Sequence, residues 1–122
     1  MSKSLDTVFI EGLACEASIG VFDWEREVKQ TLVLDLELGV DFSLASESDL
    51  IDHAVSYAEV SAFVITLVQS KHHDLLEHLA EKISRAVFGA FPVESISLKL
   101  AKPGAVPEAK NVGVKIVRER SS

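Results

Sequence analysis

Leu32-Val-Leu-Asp-Leu-Glu-Leu-Gly-Val40 is the stretch on which the fold turns. Leu32, Leu34, Leu36, Leu38 and Val40 alternate with Val33, Asp35, Glu37 and Gly39. A period of two puts one set of side chains on a buried face and the other toward water, as in a half-buried strand. The segment is too regular for a loop and has the wrong period for a helix.

Working outward, Val8 to Ala17 reads as an earlier strand, with Gly12 as a candidate bulge. The link Ile19-Gly-Val-Phe-Asp-Trp-Glu-Arg-Glu27 reads as a loop whose glycine makes a turn. Ser56-Tyr57-Ala58-Glu59 matches a capping box, and Tyr57, Val60, Val64, Leu67 and Val68 then recur at helical spacing. Asp74-Leu75-Leu76-Glu77 reads as a second capping box. Behind it Leu76, Leu79, Ala80, Ile83, Ala86, Val87 and Ala90 form an apolar stripe that Pro92 ends. Ile96, Leu98 and Leu100 alternate with Ser95, Ser97 and Lys99, and Val112, Val114 and Ile116 do so with Gly113, Lys115 and Val117. Pro103-Gly104 and Pro107 force a turn-rich connection between these last strands. The order is strand, strand, helix, helix, strand, strand. Two helices can cover one face of a four-stranded antiparallel sheet, so the expected fold class is α+β, in one domain spanning residues 1–122. Such a sheet has two open edges that invite pairing with other chains, which predicts a homo-oligomer.

The 122 residues are enough to bury a core, and 48% apolar content fits a globular chain. No apolar run approaches the ~20 residues of a membrane span, and Met1 to Asp6 lack the apolar core of a secretion signal. A formal charge of −7, with twelve scattered Lys and Arg, gives no electrostatic reason to bind nucleic acid or anionic lipid. The lone Cys15 excludes an intrachain disulfide and reads as a buried, inert thiol, compatible with a cytoplasmic location. By elimination, the expected partner is a small organic substrate or another protein.

A few residues are candidates for chemistry. Lys102 continues the phase of Ile96, Leu98 and Leu100, so its side chain should start toward the apolar face, just before a stiff Pro-Gly turn. It is either an acid/base group, its pKa drawn toward neutrality by partial desolvation, or a snorkelling strand-end lysine. Glu77, in a first helical turn, either completes a capping box or accepts a guanidine-like N–H pair from a heterocycle. Tyr57 is either the first core residue of its helix or a proton relay and stacking ring. Glu25 reads from its surroundings as a solvated loop charge, and Trp24 as a loop anchor. His53, His72, His73 and His78 have no metal-site spacing, and no metal is expected. There is no G-x-S-x-G elbow and no Gly-rich phosphate loop.

Four segments, in order, resemble the dihydroneopterin aldolase family of the tunnelling fold. They are Ile19-Gly-Val-Phe-Asp-Trp-Glu25, Val55-Ser-Tyr57-Ala-Glu-Val60, Leu75-Leu-Glu-His-Leu-Ala-Glu81 and Leu100-Ala-Lys-Pro-Gly-Ala-Val106, with Asn111-Val-Gly-Val114 behind the last. The likeness runs from about Asp6 to Arg120. It implies a folate-biosynthesis lyase that splits 7,8-dihydroneopterin into 6-hydroxymethyl-7,8-dihydropterin and glycolaldehyde, with epimerisation to the monapterin form as a companion activity. It implies no cofactor, since the pterin's own C=N bond takes the electrons of the broken bond. It implies Lys102 as the catalytic lysine and Tyr57 as a catalytic tyrosine that also contacts substrate. Glu77 with the Leu76 backbone would anchor the pterin, and Glu25 would contact substrate and organise water. It further implies sites between subunits, with Tyr57 supplied by the neighbour. Four chains would form a ring with a continuous barrel, and two rings would stack into an octamer. Ser56 and Ile19 stand where some members carry histidine, which leaves the balance of aldolase and epimerase open.

Two rival readings accompany this one. A dihydroneopterin triphosphate epimerase would share the fold but must hold a triphosphate, and the sequence shows no extra basic cluster for it. A non-catalytic oligomeric module binding a pterin or purine would use the same sheet edges without turnover.

Overall fold

The computed structural model describes residues 5–121. Met1 to Ser4, part of the stretch examined above for a secretion signal, lie outside the described residues. Strand β1 (Asp6–Ala17) leads through a short helix α1 (Asp23–Glu27) to β2 (Gln30–Val40). Helix α2 (Ser43–Ser48) and a 3-10 turn (Ile51–His53) precede helix α3 (Tyr57–Gln69). Helix α4 (Leu76–Ala90), β3 (Ser95–Pro103) and β4 (Asn111–Glu119) complete the chain. The four strands form one antiparallel sheet in the order β1-β2-β3-β4. The expected α+β layering is observed, while α1 and α2 are additions to it, each lying in a connection read as irregular or left unassigned.

The alternation of β2 holds along the strand. Leu32, Leu34, Leu36 and Leu38 are fully buried and meet Ile96, Leu98 and Leu100 of β3 with Val60, Val64, Leu79 and Ile83 of the helices. The register pairs Leu34 with Leu100, Leu36 with Leu98 and Leu38 with Ile96, so like faces like across the central pair. The bulge foreseen at Gly12 is present. The β1–β2 register slips between Ile10 and Leu13, and Gly12 takes φ +69°, a left-handed conformation that glycine adopts without strain. The Asp35 carboxylate accepts from the Gly12 amide at 2.7 Å and fixes the bulge from the neighbouring strand. Cys15 is half-buried, and burial pushes its thiol up, in keeping with an unreactive role.

The helix starts divide. Ser56 caps α3, its hydroxyl accepting from the Glu59 amide at 3.2 Å. Tyr57, however, is 67% exposed and does not belong to the core stripe. The second capping box does not form. Helix α4 starts one residue later than the box requires, with Leu75 at the cap position and no side-chain cap bond. Asp74 instead accepts from Arg26 Nη2 at 2.9 Å and lies 3.2 Å from His72 Nε2. A full charge and an imidazole outcompete the backbone amide for the same carboxylate.

The loop carrying Asp74 is tied to the one leaving β1. The Gly20 amide donates to the His73 carbonyl at 3.0 Å and the His73 amide to the Ser18 carbonyl at 3.2 Å. This strap brings the start of α4 beside α1 and the end of β3. Truncation of Leu36, at the centre of the core, is expected to cost about 2–5 kcal/mol. Urea unfolding at fixed protein concentration should show Leu36→Ala shifted well below wild type. Glu37→Ala, on the exposed side of the same strand, should stay within about 0.5 kcal/mol.

Candidate active site

Glu25 and Lys102, 77 residues apart, form the central contact. Lys102 Nζ donates to Glu25 Oε2 at 3.0 Å, with both side chains largely withdrawn from water. The Lys102 side chain leaves β3 on the buried side, in the phase of Ile96, Leu98 and Leu100. It meets a carboxylate there rather than bare apolar surface. Glu25 corrects its sequence reading: it is no solvated loop charge but sits in α1 at 5% exposure.

Three donors hold that carboxylate. Besides Lys102, Gln30 Nε2 donates to Oε2 at 3.0 Å and the Phe22 amide donates to Oε1 at 3.2 Å. Gln30 Nε2 also donates to the Ile19 carbonyl at 2.7 Å, which locks the amide in place. Burial pushes the Glu25 carboxyl up, but the bonds from Gln30, Lys102 and Phe22 and the lysine's charge outweigh it and hold it below the usual range. Gly20 makes the approach possible. It adopts φ +131°, and a Cβ there would overlap the Glu25 carboxylate.

The pair stands in a cavity of about 310 Å³. Ile19, Gly20 and Gln30 line it on one side, Leu75 and Leu76 on another, and Phe22 and Trp24 at the rim. Phe22 and Trp24 stack with planes 7° apart and centroids separated by 6.5 Å. Trp24 is 58% exposed, so it is part of the lip of the cavity and does not anchor the loop. Fixed charges on the floor and flat apolar side chains at the mouth suit a planar, polar-edged ligand. Among the described residues, no three His, Cys, Asp or Glu side chains are placed to hold a metal ion.

Of the residues named from sequence, the single chain brings together Glu25, Lys102 and Leu76. Glu77 follows Leu76 in the first turn of α4 with its side chain exposed, and it does not line the cavity. Tyr57 also lies outside the cavity lining, at the exposed start of α3. Sequence reasoning missed Gln30 and Gly20. Gln30 shares the even-numbered phase of Leu32 to Leu38, so the rule that singled out Lys102 also pointed inward at Gln30. The positive φ of Gly20 has no signal in the sequence beyond the glycine itself.

A two-helix layer on a four-stranded antiparallel sheet, with a charge-paired amine and acid in a cavity at its end, defines a small α+β protein whose candidate site is that pair. The chain belongs to the dihydroneopterin aldolase family, matching the FolB dihydroneopterin aldolase profile over residues 8–117. It is 44% identical over 114 residues to the dihydroneopterin aldolase of Haemophilus influenzae, covering 93% of this chain and 97% of that one. The Escherichia coli dihydroneopterin aldolase is 40% identical, with 93% of each chain covered. The crystal structure of the E. coli enzyme in complex with neopterin superposes with a TM-score of 0.90 at 40% identity, over 93% of this chain and 98% of that one. No described helix is long and apolar enough to cross a membrane.

Because the Glu25 carboxyl is held low in the folded chain, it lends stability that is complete above its unfolded pKa of about 4.3. That stability is lost as pH falls through the lower folded value. Thermal unfolding of wild type should therefore weaken in that acidic window, and Glu25→Gln should lose part of this pH dependence. Identical acid profiles for the two proteins would contradict the assigned hydrogen bonds.

Proposed function

We propose that this chain, an enzyme of the dihydroneopterin aldolase family, cleaves 7,8-dihydroneopterin by retro-aldol chemistry in folate biosynthesis. The products are 6-hydroxymethyl-7,8-dihydropterin and glycolaldehyde. The observation that carries the reading is the 3.0 Å contact of Lys102 with Glu25 on the floor of the cavity. Neopterin, named as the ligand of the E. coli crystal structure, is a flat heterocycle of the kind this cavity suits.

Cleavage removes the proton of a side-chain hydroxyl, breaks the adjacent C–C bond and releases an aldehyde. The bonding electrons flow into the conjugated C=N of the dihydropterin, whose ring nitrogen takes up a proton. Protonation of the side-chain carbon, with loss of the ring-nitrogen proton and return of the C=N bond, then completes the product. Lys102 is placed to move these protons, directly or through a water that Glu25 orients. The Gln30 and Phe22 bonds keep Glu25 from collapsing onto the amine in other geometries, so the pair is preorganised. The pterin serves as its own electron sink, so the scheme calls for neither a metal nor an organic cofactor.

Glu77 would grip the 2-amino group and neighbouring ring N–H beside the Leu76 backbone, as a carboxylate does for a guanidine-like edge. Tyr57 would enter from a neighbouring subunit and help protonate the intermediate. Its exposure supports that role, because a single protomer leaves the residue 67% exposed. The outer positions of β1 and β4, and the exposed Phe9 and Val117 on them, support a ring of four subunits continued into a barrel, with two rings in an octamer. The same cleavage, followed by re-formation of the C–C bond on the opposite face of the retained aldehyde, would give epimerisation to the monapterin form. We place the enzyme in the cytoplasm with its pathway.

Lys102→Ala should lower glycolaldehyde release by orders of magnitude while pterin affinity stays near wild type, as befits a group acting in the transition state. Glu77→Ala should instead abolish binding, since the pterin's polar edge loses its charged partner. Equal loss of binding in both variants would overturn the role assignments. Absence of glycolaldehyde from wild type, with rapid epimerisation of the triphosphate, would favour the rival epimerase.

A further inference from the structure

A second concavity, of about 420 Å³, lies beside the first and shares Asp74 and Leu75 with it. Arg26, Lys71, His72, His73, Asp74 and His78 line it. The sequence shows no basic run here. Folding assembles the group, because the strap between Ser18–Gly20 and His73 lays residues 71–78 against α1.

The charges in this group are not balanced. Arg26 is compensated by Asp74 at 2.9 Å, and His72 bonds to Ser18 and to the Gly20 carbonyl. Lys71 and Lys82 have no carboxylate partner among the described residues, in a chain with 19 acids against 12 bases. Lys82 donates to His73 Nε2 at 3.1 Å. An ammonium can only donate, so Nε2 is the acceptor and the ring proton of the neutral imidazole lies on Nδ1. That N–H is buried and has no partner among the described residues. His73 itself is 3% exposed, and its ring lies 6.3 Å from that of His78. Burial, then the charges of Lys82 and Lys71 and the two flanking histidines, keep His73 below its usual range. A concave wall that carries the uncompensated Lys71 and the unpartnered His73 N–H, in an acidic protein, concentrates anions.

We propose that this concavity binds the dianionic phosphate group, held by Lys71 and His78 at the rim with Arg26 and the buried His73, bonded to the half-buried Lys82, behind them. A phosphate offers several acceptor oxygens to donors that diverge from one another, which a single carboxylate does not. The group can arrive as free inorganic phosphate or as a phosphate ester on a ligand that occupies the neighbouring cavity.

The test titrates inorganic phosphate into the full-length protein at constant ionic strength, with chloride as control, and follows the imidazole 1H–15N NMR signals. The His73 and His78 signals should move along saturating curves. Lys71→Gln and His78→Gln should each weaken binding by about tenfold, the scale of one charge-assisted hydrogen bond. Turnover of dihydroneopterin without phosphate should stay at the wild-type level in both. Linear shifts that chloride reproduces would mean an adventitious ion only and overturn the proposal, as would unchanged affinity in both variants. A second arm, which alone rests on the reaction proposed above, compares KM for dihydroneopterin and its phosphate monoester. Lys71→Gln raises only the ester's KM if the phosphate arrives on the substrate. Both KM values stay unchanged, with inorganic phosphate binding still weakened, if the ligand is free phosphate.

Discussion

A carboxylate taken out of water needs partners, and the burial of Glu25 organises this end of the molecule. An isolated buried charge is costly enough that proteins pair or neutralise it. Here three separate pieces of chain meet that demand: the end of β3 sends Lys102, the start of β2 sends Gln30, and the cap position before α1 sends the Phe22 amide. Gly20 supplies the space, at a backbone angle other residues rarely adopt. The Phe22 amide meets Oε1 while Lys102 and Gln30 share Oε2, so both oxygens of the buried acid are partnered. The same network that makes burial tolerable also holds an amine and an acid 3.0 Å apart, the pair on which the proposed proton transfers rest.

The packing behind this network is generic by comparison. Leucines of β2 and β3 face each other in register and meet two amphipathic helices, an arrangement that many α+β domains share. What distinguishes the chain is the way its connections end. The strap from Ser18–Gly20 to His73 fixes where α4 begins, and so fixes Leu75 and Leu76 as a wall of the cavity. Stability and function are thus divided between the sheet core and the loops at one end of it.

The strands, their buried faces and the two long helices were legible because hydrophobic periodicity is written residue by residue. Lys102 was legible for the same reason, as a polar residue in the phase of Ile96, Leu98 and Leu100. The errors share another cause. Whether Glu25 is buried, whether Asp74 caps a helix or pairs with Arg26, and whether Trp24 anchors a loop depend on segments distant in sequence. Local pattern carries no information about such partners. Charge behaves likewise: Arg26, Lys71 and Lys82 look scattered along the chain and come together only through the strap. The family resemblance reached Glu25 and Leu76, which now line one cavity with Lys102. The pattern of residues alone had left Glu25 in water.

A crystal structure of the protein with 6-hydroxymethyl-7,8-dihydropterin would show whether a dihydropterin lies over the Lys102–Glu25 pair. The ring is expected in the cavity against Leu76, its side-chain carbon and adjacent ring nitrogen toward the Lys102 amine and its amino edge at Glu77. A pterin bound elsewhere, with the lysine and the acid facing only each other, would contradict that expectation.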